Sequence, residues 1–136
     1  MTDKYYQLSE LGICSYNIHW VWQRINNFKY CKLDYKYVQD IFQKYRIIGL
    51  IETHHEQSEI GALHVDGFKC HTKCRPKSLK KGNKPSGGLA VYIHNSIRRG
   101  VSIISSPGSE TIWLKLDCDF FNLKKDLFLC FVCISS

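Results

Sequence analysis

Apolar positions in this chain fall into short blocks whose spacing changes from one segment to the next. Gly12-Ile13-Cys14-Ser15-Tyr16-Asn17 and Ile47-Ile48-Gly49-Leu50-Ile51-Glu52-Thr53-His54 read as short buried strands, over 12–17 and 47–52. Between them Tyr37, Val38, Ile41, Phe42 and Tyr45 recur at spacings of one, three and four, one face of a helix. Asp34 stands where an N-cap is expected. Residues 18–33, with Trp20, Trp22, Phe28 and Tyr30, show no period, and Asn26-Asn27 within them is turn chemistry. The second half reads as strands over 67–72, 89–94, 101–104 and 111–117, the last alternating with Ile112, Leu114 and Leu116 on one face. Residues 127–135 are nearly all apolar and predict a fully buried central strand, reached through a hairpin loop over 119–126.

Strand, helix, strand in that order predicts a βαβ-like unit with 12–17 and 47–52 as parallel neighbours. Asn17 and Glu52 then stand at one edge of a sheet, where open α/β sheets place their ligand sites. A strand tip is a rigid mount for a polar ligand, and two adjacent tips can address one ion. That combination points to divalent-metal phosphodiester chemistry.

Composition narrows the picture. A chain of 136 residues, 44% hydrophobic and 13% aromatic, is one globular domain with enough bulk for a core. Residues 1–11 read as a polar lead-in. The longest apolar run, Leu127 to Ile134, is far short of the roughly 20 residues that span a bilayer. The first residues lack the apolar core of a signal peptide. Seven scattered cysteines read as reduced thiols, so the expected setting is intracellular, nuclear or cytoplasmic, without membrane attachment. A formal net charge of +7 fits an anionic partner. Lys69, Lys73, Arg75, Lys77, Lys80, Lys81 and Lys84 put seven positive charges and no acid into residues 69–86, where Pro76, Gly82 and Pro85 argue for a loop.

Four segments, taken in order, resemble the endonuclease/exonuclease/phosphatase superfamily, and within it the endonuclease domains of non-LTR retrotransposons. They are Ser15-Tyr16-Asn17-Ile18, Leu50-Ile51-Glu52-Thr53-His54, the glycine-led strand Gly87-Gly88-Leu89-Ala90-Val91-Tyr92-Ile93, and Ser109-Glu110-Thr111-Ile112-Trp113-Leu114-Lys115-Leu116. The resemblance covers most of residues 12–135. It implies an α/β (α+β) fold, the N-terminal part of a four-layer α/β sandwich, within residues 12–136. It further implies that Asn17 and Glu52 are catalytic residues holding Mg²⁺ (or Mn²⁺) and the scissile phosphate, with His54 near the phosphate. Mg²⁺ takes few protein oxygens beside water and phosphate, which suits an amide and a carboxylate. The implied substrate is DNA, and the implied reaction is hydrolysis of one phosphodiester. Family members continue with a Tyr-Pro type loop, an Asp-x-Asn motif and a Ser-Asp-His motif that supplies the general acid/base. None of these can be assigned up to Ser136, so the expectation is a weakly active or inactive domain portion with the remaining half as a possible partner.

Other assignments compete for the same residues. Lys73, Arg75, Lys77, Lys80, Lys81 and Lys84 are candidate phosphate-backbone contacts, and with Trp20 and Trp22 they support a non-catalytic nucleic-acid-binding module as the alternative function. A solvated loop and packed tryptophans are the plainer readings. His55-Glu56-Gln57-Ser58-Glu59 fails the His-Glu-x-x-His zinc pattern, and His55 is expected at the surface. Cys70, His71, Cys74, Cys130 and Cys133 could be drawn into a zinc site, but Cys130 and Cys133 are an odd number apart on a strand and face opposite ways. Asn17 could instead serve as a turn residue bonding its own backbone, with the site role the favoured one. Glu110 is a possible supporting residue for the site.

Overall fold

A computed structural model of the chain describes residues 11–75 and 87–134. The fold is mixed α/β, with nine strands in three sheets and one α-helix among the described residues. The larger sheet has the order β1-β4-β6-β5, from β1 (Ile13–Asn17), β4 (Ile47–Ile51), β6 (Leu89–His94) and β5 (Phe68–Lys73). As the strand–helix–strand order requires, β1 and β4 are parallel, with Asn17 opposite Ile51. All other pairings are antiparallel. The second sheet is β7 (Val101–Ile104), β8 (Thr111–Leu116) and β9 (Leu127–Val132), in that order.

Alternation along β4 and β6 sends side chains into two cores. Ile48, Leu50, Ala90 and Tyr92 meet Val38 and Phe42 of helix α1 (Lys36–Lys44) on one face. Phe42 sets its ring edge-on to Tyr92 at 4.8 Å, and the Tyr92 hydroxyl donates to the Leu63 carbonyl at 2.7 Å. Burial therefore leaves no orphaned phenol there, and it drives the Tyr92 pKa far upward. Ile47, Leu89, Val91 and Ile93 point the other way, against Ile112, Leu114, Leu116 and Phe131 of the second sheet. Gly49 lies under the Phe131 ring so closely that a Cβ would overlap it. The two sheets thus interlock face to face, with the helix on the outer face of the larger one.

Several expectations change. Residues 18–33 are not irregular: β2 (Trp22–Ile25) and β3 (Phe28–Cys31) pair as a hairpin. Asn26 and Asn27 turn it with φ of 49° and 69°, the double left-handed turn that asparagine tolerates. Asp34 does not cap α1; it closes a 3-10 turn, and Tyr35 occupies the cap position without a capping bond from its side chain. Among the described residues β9 is an edge strand rather than a central one, and Phe128 and Val132 face outward beside Trp113. Leu11, at the end of the expected polar lead-in, is fully buried in the inter-sheet core. Lys69 and Lys73, expected in the basic loop, belong to β5. No described helix is long and apolar enough to cross a membrane.

Candidate metal centre at the strand tips

Beyond the parallel pair, the two chain segments stay zipped together. Ile18 N–H donates to the Ile51 carbonyl at 3.0 Å, Trp20 N–H to Glu52 at 2.8 Å and Val21 N–H to Thr53 at 2.9 Å. A third segment grips the second: Thr53 and His54 donate to the carbonyls of Gly88 and Gly87. Gly88 has φ +92°, and a Cβ there would strike the Thr53 hydroxyl oxygen. Glycine at this position is thus a requirement of close packing.

Strand alternation breaks down at the tips. His19, Trp20, Glu52 and His54 adopt left-handed φ of 45°, 75°, 57° and 51°. Such conformations are strained for non-glycine residues and concentrate where side chains must be re-aimed. Here they bring Glu52 under Asn17 and between two imidazoles. Asn17 Nδ2 donates to Glu52 Oε2 at 3.0 Å, while Asn17 Oδ1 accepts from His19 N–H at 2.9 Å. The ligating atoms of His19, Glu52 and His54 all lie within 4.8 Å of one another. His19 Nδ1 is 3.4 Å from Glu52 Oε2. Trp20 stacks on the His54 ring at 4.4 Å. The hydrogen bonds from Asn17 and then His19 hold the Glu52 pKa below the ordinary carboxylate value, against partial desolvation. Glu52 is accordingly an anion at neutral pH.

The structure brings together the residues expected from the sequence, since Asn17 and Glu52 are bonded and His54 adjoins them. It adds His19 and the orienting Trp20, which the sequence does not single out for this site. Neither belongs to a recognisable motif, and only the left-handed turn after Asn17 brings them in. His55 corrects the surface expectation: it is 1% exposed and bonded to the Thr53 hydroxyl. Beside the centre, a cavity of about 350 Å³ is lined by Trp20, Trp22, Arg24, Lys29 and His54. Lys29 sits over the Trp22 ring at 4.2 Å and pairs with Glu59 at 3.0 Å, tying the hairpin to the turn after β4.

Of the expected phosphate contacts, Lys73 donates to the Ser106 carbonyl at 3.0 Å, and Arg75 pairs with Glu110 at 3.1 Å. Lys77, Lys80, Lys81 and Lys84 lie outside the described residues. The Glu110 carbonyl accepts from Cys133 N–H at 2.8 Å, which joins this residue to the end of β9. No disulfide joins the seven cysteines, and among the described residues Cys118, between Asp117 and Asp119, is the one cysteine in a group that could hold a metal ion. Lys69, His71 and Lys73 alternate on one face of β5, and Lys69 and His71 with Arg98 and Arg99 line a groove of about 590 Å³ against β7. Burial first, then the Lys69 charge, lowers the His71 pKa. The chain matches no model of a known protein family, and a search among curated proteins finds no match either.

Proposed function

We propose that this chain is a divalent-metal-dependent phosphodiester hydrolase domain of the endonuclease type, acting on DNA. The observation that carries the reading is the Asn17–Glu52 hydrogen bond at the joined tips of two parallel strands. An ionised carboxylate and an amide oxygen are donors suited to Mg²⁺ or Mn²⁺, so Glu52 and Asn17 would hold the ion, with His54 toward the phosphate. When bound, such an ion supplies Lewis-acid stabilisation of phosphoryl oxygens. The chain's own contribution is placement: Asn17 fixes the carboxylate, and the left-handed turns fix what surrounds it. A helix packed outside two facing sheets supports the reading, since it is an arrangement that a layered α/β sandwich would contain. In a supercoiled-plasmid nicking assay, the Mg²⁺-dependent relaxation expected of this domain portion is weak at most, and Glu52→Ala abolishes what there is. Nicking that survives Glu52→Ala excludes this site.

A second reading, nucleic-acid binding without cleavage, is favoured by one observation. The Lys69–Arg98–Arg99 groove offers positive charge at the sheet edge, away from the strand tips.

A further inference from the structure

We propose that His19, Glu52 and His54 form a site for a borderline transition-metal ion of the Zn²⁺ class, with Asn17 as the residue that positions it. The inference concerns the same site and rests on the reading above for the ion's purpose, but it changes the ion's class and makes Asn17 the residue that orients Glu52 in place of a ligand.

The donor set is the first argument. Two imidazoles and one carboxylate suit zinc, cobalt, nickel or iron, whereas Mg²⁺ seeks oxygen alone and sheds water reluctantly. Spacing is the second. Zinc–nitrogen and zinc–oxygen bonds of about 2.0–2.1 Å require ligands about 3.3 Å apart around a tetrahedron. His19 Nδ1 and Glu52 Oε2 are already 3.4 Å apart, and the His54 ligand atom lies within 4.8 Å of both. The backbone is the third. Each of the three ligand residues has a left-handed φ, at 45°, 57° and 51°, which turns side chains from different faces toward one point.

The surroundings supply what ligand residues need. Asn17 orients Glu52 through its amide nitrogen and holds the His19 backbone through its oxygen. The Trp20 ring, 23° from parallel to His54, restrains that imidazole's plane. Such outer partners typically change metal affinity by about 10–100-fold. The His19 side chain is 75% exposed, so solvent reaches the cluster and could supply a fourth ligand. Three protein ligands with one open position are the arrangement of catalytic rather than structural zinc.

Co²⁺, the spectroscopic stand-in for zinc, tests this on the full chain by its visible ligand-field absorption. Expected is one Co²⁺ per chain, not displaced by a hundredfold excess of Mg²⁺. His19→Ala and His54→Ala each weaken binding by about 100-fold or more, and Asn17→Ala by about tenfold with an altered absorption envelope. Melting curves identify folded variants, and the exposed His19→Gln serves where His54→Ala does not fold. The proposal is overturned if folded His19→Ala or His19→Gln binds Co²⁺ as before, if the near-ultraviolet band of thiolate ligation accounts for the binding, or if equimolar Mg²⁺ displaces it. Co²⁺ binding unchanged in folded His19→Ala, with Mg²⁺ nicking likewise indifferent to His19, removes the zinc-class site and keeps the hydrolase. Tight Co²⁺ binding without nicking under any ion removes the hydrolase and keeps the site.

Discussion

Asn17 bonds at both ends of its amide, donating to Glu52 and accepting from His19 N–H. The sequence leaves open whether this residue serves a site or caps its own turn, and its bonds reach both Glu52 and the backbone of its own turn. Its chief electrostatic effect is to depress the Glu52 pKa. A carboxyl depressed in the fold adds stability above its unfolded pKa and loses it as pH falls through the folded value. Asn17→Ala should therefore bring the Glu52 pKa back toward the ordinary value in an NMR titration. Its stability deficit in urea should be largest near neutral pH and shrink as the carboxyl protonates in acid. A deficit independent of pH would show that Asn17 acts only through packing. His55 defeats a reading of the sequence because a run of polar neighbours looks solvated. Its burial under Gly88 and beside Thr53 comes from a segment distant in the chain, which local pattern cannot register.

Strands whose apolar residues face a core are legible in the sequence, as β4 and β6 demonstrate. The β2–β3 hairpin is not, because most of its side chains are exposed and give no buried face to read. β9 misleads in the opposite sense. Phe128 and Val132 are apolar yet lie on an uncovered outer face, so an unbroken apolar run stands for an edge strand. Where the sheets interlock, tolerance is small. Gly49→Ala must displace the Phe131 ring and should cost about 1–3 kcal/mol by overpacking. Urea unfolding should register that loss, and Phe131→Leu in the same background should recover part of it. If Gly49→Ala is neutral, the two sheets are not packed as described.

The assembled sandwich distributes its charge unevenly. Lys69, Arg98 and Arg99 border the β5–β7 groove, whereas the candidate metal centre lies at the opposite ends of β4 and β6. If the groove takes a phosphate backbone, the triple variant Lys69→Glu/Arg98→Glu/Arg99→Glu should weaken duplex binding and flatten its salt dependence by about 0.9 in log–log slope for each phosphate no longer neutralised. Unchanged affinity and slope would dismiss the groove. The four left-handed residues at the strand tips have a consequence for the thermal behaviour of the whole domain. Domains are stable by only about 5–15 kcal/mol, and each left-handed non-glycine residue withholds about 1–2 kcal/mol of it. His19 is the most exposed of the three ligands and meets Glu52 only loosely. Glycine there should raise the melting temperature while emptying the centre of one donor, so the most heat-resistant form of this chain would be one that has given up its chemistry.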